Sequence, residues 1–299
     1  MGTSVFAIPI LEMLAKNFTI KKVICQPDRK AGRKQILTPP PTKERASELG
    51  LTVYQPESLK DKEVLDYLES LRPDFIVVAA YGQILPRSIL EIPKEACLNI
   101  HASLLPKYRG ASPIQTVILE GEKESGVSIM IMDEGLDSGP VIKQASLDIQ
   151  KNDDYLSLEG KLAKLGAETL LEVLNSDKLE ARTQNEKEAS FTKTLSKEDG
   201  FLDFKNKTAI ELERQIRAFS FWPQTYTIWN KKRLKILEAD TEQVSKYKAG
   251  EVYLENSALK VACFRGALVL RALQLEGKKK VSAIDFQRGY PSFVGSKLA

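Results

Sequence analysis

The run Phe75-Ile76-Val77-Val78-Ala79-Ala80 is apolar on both faces of an extended chain. A strand of this kind is typical of the centre of a parallel sheet that helices cover on both sides. Around it, short apolar runs alternate with helical patterns. The predicted strands are residues 19–25, 74–80 and 96–100, and the predicted helices are residues 42–50, 62–70 and 113–119. This alternation predicts an α/β fold with a Rossmann-like, mostly parallel sheet.

The pattern changes in the last third of the chain, which predicts a second domain. Two further strands, residues 127–132 and 140–148, and a long helix at 155–175 complete the first part. After a helix at 208–219, short alternating strands are typical of a small β-barrel or sandwich, and we predict an OB-like β-barrel. Those strands are residues 225–229, 233–239, 250–254, 259–262 and 267–275. We therefore predict a catalytic domain at 1–180, a polar linker at 181–196 and a β-barrel domain at 197–299.

The composition is that of an ordinary globular protein, with 42% hydrophobic and 28% charged residues among 299. The three cysteines are widely separated, which argues against a disulfide framework and a zinc site and favours a reducing compartment. Glu12 interrupts the first apolar stretch, and no uncharged run reaches the roughly 20 residues that cross a bilayer. We expect no membrane partner and a cytoplasmic location, in a bacterial-type cytosol or an organelle matrix. The net charge of +4 permits a nucleic-acid partner without requiring one.

The single histidine of the sequence, His101, follows directly on a predicted strand. Asn99 lies two residues earlier, so both side chains leave the same face of an extended backbone. Ligands of parallel sheets bind beyond the carboxyl ends of the strands, which makes this edge a candidate site. Asp137 lies between Gly135 and Gly139 in the loop that joins two predicted strands, where its carboxylate could face the same edge.

Asn99, His101 and Asp137 together suit the transfer of an acyl group to an amine. Asn99 and a protonated His101 could donate hydrogen bonds to the developing oxyanion. Asp137 could orient the histidine, or hold a water that relays a proton. The alternatives are a histidine with no special role and an aspartate that only caps its own turn. No serine or cysteine nucleophile is needed, so direct transfer is the simpler mechanism.

Two motifs carry a resemblance to the folate-dependent formyltransferases: Asn99-x-His101-x-Ser103-Leu104-Leu105-Pro106 and Gly135-Leu136-Asp137-Ser138-Gly139. Further matches at 26–33, 78–86 and 217–223 extend the resemblance over essentially the whole chain. The resemblance implies Asn99, His101 and Asp137 as catalytic residues, 10-formyltetrahydrofolate as co-substrate and no metal. It also implies a folate-binding segment made of Ser103, Leu104, Leu105 and Pro106.

Within this family the chain is most similar to the branch that formylates the amino group of initiator methionyl-tRNA. That branch uses an early basic loop, which implies tRNA contacts from Arg29, Lys30, Arg33 and Lys34. The basic groups at 231–235 and 278–280 could add phosphate contacts from the second domain. A charged loop is otherwise usually a solvated one, and either later group could be a hairpin tip. We expect the protein to be a monomer.

One departure from the family concerns the first strand of the sheet. Relatives begin with an apolar strand ahead of the segment that corresponds to Met1-Gly2-Thr3, so we expect a central strand of about five or six residues to be missing. A misplaced start is the preferred explanation, and a genuine loss of the strand with impaired folding is the alternative. The competing functions are a folate-dependent formyltransferase with another amine acceptor, such as a sugar or a purine precursor, and a truncated, inactive tRNA-binding protein.

Overall fold

Residues 75–78 form a strand at the centre of a sheet in the computed structural model, which describes residues 1–32 and 35–298. The strands of the first half of the chain are β1 Val23–Ile24, β2 Arg29–Ala31, β3 Ile36–Thr38, β4 Val53–Tyr54, β5 Phe75–Val78, β6 Ala96–His101, β7 Glu124–Ile131 and β8 Val141–Asp148. The helices are α1 Ala7–Asn17, α2 Pro41–Glu48, α3 Lys62–Ser70, α4 Arg87–Leu90, α5 Pro113–Glu120 and α6 Tyr155–Leu174.

The rest of the chain is rich in antiparallel strands. It contains α7 Ala209–Ala218, β9 Tyr226–Trp229, β10 Lys232–Glu242, β11 Val252–Glu255, β12 Ala258–Ala262, β13 Ala267–Leu275, β14 Val281–Ser282 and α8 Ala283–Gly289. Short 3-10 turns lie at Glu186–Glu188, Glu198–Gly200 and Pro291–Phe293. The chain divides into two units, the first formed by Met1–Pro113, Glu124–Ile149 and Glu159–Thr192 and the second by Ile114–Lys123, Gln150–Leu158 and Lys193–Ala299.

The first unit contains the predicted α/β sheet. Strands β1 and β4 pair in parallel, as do β5 and β6, whereas β7 and β8 continue the sheet in antiparallel order. Apolar side chains on β5 and on the flanking helix α3 share one core cluster, which contains Val64, Leu68, Ile76 and Val78. The α/β prediction is confirmed, with the added detail that β7 runs antiparallel to both of its neighbours, β6 and β8.

The first three residues lie in the sheet between β1 and β5. The Gly2 N–H donates to the Ile24 carbonyl at 2.9 Å, and the Ala79 N–H donates to the Met1 carbonyl at 2.9 Å. The Met1 amino group donates to the Val77 carbonyl at 2.5 Å. Residues 1–3 therefore occupy the carboxyl end of the central position at which the sequence predicts a missing strand.

A cavity of about 610 Å³ lies in the first unit beside this short segment. Its walls include both neighbouring chain segments, at residues 19–24 and 73–77, together with side chains of α1 and α3. Ile10, Leu14 and Leu68 are among the apolar side chains that line it. None of the predicted catalytic or folate-binding residues lines this cavity, so it is separate from the candidate site described below.

The second unit contains an antiparallel sheet in the order β11-β12-β13-β10-β9, with β14 paired to β13. Trp229 packs edge-on against Phe286 and Phe293 at the centre of its core. Helix α7 begins at a capping box in which Thr208 and Glu211 satisfy each other's backbone N–H groups. Among the strands that the structure describes, no pairing closes the ring between β11 and β9, so the predicted β-barrel is an open half-barrel.

Candidate active site

Strand β6 ends at His101, whose imidazole ring is buried between two oxygen acceptors. The residue is 6% exposed. Its Nε2 lies 2.9 Å from the Tyr108 carbonyl oxygen, and its Nδ1 lies 3.6 Å from Oδ2 of Asp137. The Nε2 contact has the length of a hydrogen bond, whereas the Nδ1 contact is longer than one, so Nδ1 is the ring nitrogen that could turn to a substrate.

Asp137 lies in the loop between β7 and β8 and contacts both other candidate catalytic residues. Asn99 Nδ2 donates to Oδ1 of Asp137 at 3.4 Å, and the Gly110 N–H donates to Oδ2 at 2.8 Å. The alternation along β6 places Asn99 and His101 on one face, as predicted. The structure therefore brings Asn99, His101 and Asp137 together at the end of a central strand, although 36 residues separate Asp137 from His101 in the sequence.

This arrangement has the parts that amine formylation needs. The Asn99 amide has a second N–H besides the one directed at Asp137, and a histidine ring nitrogen that carries a proton can donate as well. Donors fixed in place before the reaction are worth about two to three orders of magnitude in rate when an oxyanion forms. A carboxylate beside them can accept a proton directly or through one water.

The predicted folate-binding segment, residues 103–106, is held in place by hydrogen bonds within the first unit. The Ser103 hydroxyl donates to the Lys107 carbonyl at 2.6 Å, and the Leu105 N–H donates to the Ser128 hydroxyl at 3.0 Å. Ser103 and Leu105 are buried, whereas Leu104 and Pro106 are half-buried. A ligand of this segment would therefore meet mainly the apolar surface of Leu104 and Pro106.

The predicted tRNA loop is a β-hairpin at its base. Arg29 and Lys30 lie on β2, which pairs with β3, and both side chains are exposed. Arg29 is anchored by a hydrogen bond of 3.4 Å from Nη2 to Oε1 of Gln26. Arg33 and Lys34, the other two predicted contacts, lie outside the described residues.

The two later basic groups lie at one end of the half-barrel. The register of β10 and β13 pairs Leu234 with Leu275, and Glu276 accepts a hydrogen bond from the Arg233 N–H at 3.1 Å. The turn before β10, with Lys231, and the turn after β13, with residues 278–280, are therefore neighbours. Lys231, Lys278 and Lys279 therefore lie at the same end of the sheet and form a basic edge, whereas Lys280 is ion-paired with Glu238. The separation of these lysines in the sequence does not reveal this edge.

A glutamine network that the sequence analysis did not assign joins two of the matched motifs. Gln83 Nε2 donates to Oε1 of Gln26 at 3.2 Å, and Gln26 Nε2 donates to the Tyr81 carbonyl at 3.3 Å. The Thr3 hydroxyl donates to the same carbonyl at 2.7 Å. The base of the basic hairpin is thereby tied to the loop after β5. In the sequence, the only sign of this connection is that the segments at 26–33 and 78–86 both match the family pattern.

The fold and this site are those of a formyltransferase, and comparison with known protein families agrees. The formyl transferase family model matches residues 2–174, and the model of the formyl transferase C-terminal domain matches residues 194–291. The chain belongs to the formyl transferase family.

Its relatives narrow the family to one branch. The methionyl-tRNA formyltransferase of Caldicellulosiruptor saccharolyticus is 42% identical over 307 residues, which cover 100% of this chain and 98% of that protein. The methionyl-tRNA formyltransferase of Dehalococcoides mccartyi is 44% identical over 303 residues, covering 100% and 97%. The prediction of family and branch from the sequence is confirmed.

Solved structures share the fold at lower identity. WlaRD, a sugar 3N-formyl transferase, superposes with a TM-score of 0.65 at 23% identity, covering 93% of this chain and 97% of that one. Methionyl-tRNA formyltransferase from Clostridium thermocellum superposes with a TM-score of 0.53 at 20% identity, covering 76% and 90%. Within residues 1–32 and 35–298, no cluster of three or more acidic, histidine or cysteine side chains is placed to hold a metal ion. No helix in the described part of the chain is long and apolar enough to cross a membrane.

Proposed function

We propose that this chain transfers the formyl group of 10-formyltetrahydrofolate to the amino group of initiator methionyl-tRNA. The product is N-formylmethionyl-tRNA, the substrate of translation initiation. The observation that carries the proposal is the convergence of Asn99, His101 and Asp137 at the end of β6, with Asp137 Oδ2 3.6 Å from the imidazole. The full-length similarity to methionyl-tRNA formyltransferases supports the choice of acceptor.

The residues of the site suit direct transfer between two nitrogen atoms. The folate supplies a formyl group whose carbonyl carbon is the electrophile. Asn99 donates its second amide N–H to the formyl oxygen as it becomes an oxyanion, and His101 donates through Nδ1, whose 3.6 Å contact with Asp137 is longer than a hydrogen bond. The attacking amine must be neutral, and an α-amino group is near this state at physiological pH. Asp137 accepts its proton or orients the water that carries it. Leu104 and Pro106 offer an apolar surface that suits one face of a flat pterin ring.

The acceptor's tRNA is proposed to contact two basic surfaces. One is the hairpin with Arg29 and Lys30, to which the family pattern adds Arg33 and Lys34. The other is the basic edge formed by residues 231–233 and 278–279. Exposed lysines and arginines bind phosphates with little regard to sequence and lose affinity steeply as salt rises.

We further propose that the protein acts as a monomer in the compartment that holds its aminoacyl-tRNA substrate, the cytoplasm of a bacterial-type cell. The three predicted catalytic residues come from one chain, so no second copy is needed to complete them. The bacterial relatives support the location. Light scattering of the purified chain, alone and with tRNA, tests the stoichiometry.

The decisive experiment is formyl transfer with purified components. Radiolabelled 10-formyltetrahydrofolate is mixed with the chain and methionyl-tRNA, and label in acid-precipitable tRNA is counted. Methionyl-tRNA with an acetylated amino group is the matched control, because it keeps every phosphate and lacks the nucleophile. An amino sugar nucleotide in its place tests the rival acceptor class. Binding of methionyl-tRNA without turnover would refute the proposal in favour of an inactive tRNA-binding protein.

A further inference from the structure

Two residues that set the position of His101 have left-handed backbone conformations. Tyr108, whose carbonyl faces Nε2, has φ of +61°, and Asp137, whose carboxylate faces Nδ1, has φ of +50°. Neither is glycine. Such conformations cost of order 1–3 kcal/mol each and persist only when the surroundings hold them. The structure must therefore contain groups that fix both residues.

Gln184 fixes the loop of Asp137. Its side-chain Nε2 donates to the Asp137 carbonyl at 2.8 Å and to the Gly139 carbonyl at 2.7 Å. Its Oε1 accepts from Nε and Nη2 of Arg109, at 3.1 and 2.9 Å. Because Arg109 can only donate, the orientation of the Gln184 amide is unambiguous. The residue is 7% exposed, and both polar atoms of its side chain are paired.

Arg109 connects this contact to the loop that follows Pro106. Its guanidinium is buried, with only 2% of the residue exposed, and Nη2 also donates to Oε1 of Glu186 at 2.7 Å. The planar guanidinium spans Gln184 and Glu186 at fixed angles, which a flexible ammonium could not do. Arg109 adjoins Tyr108 and Gly110, the residues whose backbones contact His101 and Asp137.

Ser190 and Thr192 fix the other left-handed residue and its neighbours. The Tyr108 N–H donates to the Ser190 hydroxyl at 2.9 Å, and the Arg109 N–H donates to the Ser190 carbonyl at 2.9 Å. The Thr192 N–H donates back to the Arg109 carbonyl at 2.7 Å. We call residues 184–192 the strap. It bonds to both loops that face His101, although its composition predicted a linker.

We propose that Gln184 is a positioning residue for formyl transfer, acting through the carbonyl of Asp137 and through Arg109. The inference rests on the proposed function, because it concerns the geometry of the same site. Gln184 does not reach the reacting atoms; it determines where the Asp137 carboxylate lies relative to His101 and Asn99. The family motifs used to predict the site do not include it.

The test is Gln184→Glu, which is nearly isosteric. A carboxylate still accepts from Arg109 but cannot donate to the carbonyls of Asp137 and Gly139, so the change removes the positioning bonds and also adds a negative charge. Gln184→Met, which is similar in length and uncharged, removes the same bonds without that charge, and we expect it to lower kcat and to move the His101 signals as well. A misplacement of catalytic groups by about 1 Å costs on the order of a hundredfold in rate. We expect kcat to fall by about tenfold to a hundredfold, with the KM for methionyl-tRNA changed by less than about threefold.

Glu188→Gln is the matched control. Glu188 lies on the same strap, is exposed and accepts a hydrogen bond from Asn185 Nδ2 at 2.9 Å. It should leave kcat unchanged. Ser190→Ala removes the acceptor of the Tyr108 N–H by a smaller change, and we expect an intermediate loss of kcat. Thermal melts of all variants show whether they are folded.

A second readout does not depend on turnover. Since the sequence contains a single histidine, the imidazole signals in an NMR spectrum belong to His101 without assignment. At fixed pH, Gln184→Glu should move these signals, whereas Glu188→Gln should not. A folded Gln184→Glu protein with unmoved signals and wild-type kcat would overturn the proposal. If the wild-type protein shows no formyl transfer but Gln184→Glu still moves the His101 signals, the result would count against the proposed function and not against the positioning role of Gln184.

Discussion

Removing the positive charge at the amino terminus should stabilise this protein at low pH and leave it unchanged at high pH. The Met1 amino group donates to the Val77 carbonyl inside the sheet, beside the apolar cavity of about 610 Å³. Although Met1 as a residue is half-buried, its amino group is desolvated, and this desolvation lowers its pKa from 8.0 to about 6. The perturbation is acetylation of this amino group, which keeps an N–H for Val77.

The magnitude follows from the two pKa values. Between them, the unfolded chain holds a proton that the folded chain lacks, so the free energy of unfolding rises with pH from about 6 to about 8. Two units correspond to about 3 kcal/mol, which is the cost of keeping the charge buried below the lower pKa. Acetylation removes this cost. The acetylated protein should therefore be more stable by about 3 kcal/mol at low pH and equally stable above the higher pKa.

The assay is urea unfolding of the free and acetylated chains, about one pH unit below the lower pKa and about one unit above the higher one. Two engineered extensions ahead of Met1 separate charge from packing. About five Gly and Ser residues should reproduce the effect of acetylation, because they move the charge away. About five Val and Ile residues should add stability at every pH relative to the Gly and Ser extension. Each side chain buried in the cavity contributes about 2 kcal/mol and each backbone hydrogen bond to a neighbouring strand about 1 kcal/mol, which together exceed an ordering cost of about 2 kcal/mol per residue.

Two outcomes would refute this reasoning. If the free and acetylated chains differ by the same amount at both pH values, the amino group is not the titrating group. If the Gly/Ser and Val/Ile extensions are equally stable, the cavity does not accept apolar side chains continuous with Met1.

The remaining predictions concern activity and the second unit. His101→Ala should lower kcat for formyl transfer by about two to four orders of magnitude while the circular dichroism spectrum stays that of a folded protein; near-normal turnover would contradict a catalytic histidine. Replacing Arg29 and Lys30 by alanine should weaken binding of methionyl-tRNA and reduce the slope of log affinity against log salt by about one for each phosphate that the variant no longer neutralises, measured by filter binding. Thr208→Ala removes the cap of helix α7 and should lower the free energy of unfolding by about 1 kcal/mol, with unchanged kcat.

The regular elements could be predicted where periodicity and neighbours agree. The helix predicted at 62–70 and the strand predicted at 267–275 match α3 and β13 in full. The strand predicted at 19–25 is shorter in the structure, with only Val23 and Ile24 paired to β4, because the residues before them line the cavity. Apolar composition marked this stretch as extended, but a strand also needs a partner along its whole length.

Other elements carried weaker signals. Helix α1 at Ala7–Asn17 was not predicted, although a proline in its first turn and apolar residues at helical spacing were available signs. The β2–β3 hairpin was predicted as a loop because its charged residues and glycine are typical of one. The β-barrel predicted at 197–299 is an open half-barrel, since strand count and spacing do not determine whether the first and last strands meet.

In the candidate site, too, some residues could be predicted from the local sequence, whereas others act through contacts between distant parts of the chain. Asn99, His101 and Asp137 could be proposed because their side chains have chemistry that few residues share. Gln184 could not be proposed from its residue type, because a glutamine in a polar stretch is ordinarily solvated. Its partner Arg109 is also 75 residues away in the sequence.

Residue type reveals which groups can do the chemistry, whereas the contacts that orient them depend on the complete fold. In this protein the ring of His101 lies between two acceptors, and the residues that supply both acceptors have left-handed backbones. Each accepts or donates a hydrogen bond that the strap supplies. A substitution in the strap should therefore lower kcat for formyl transfer more than it weakens the binding of either substrate. A segment that only links two parts of the chain would not show this difference.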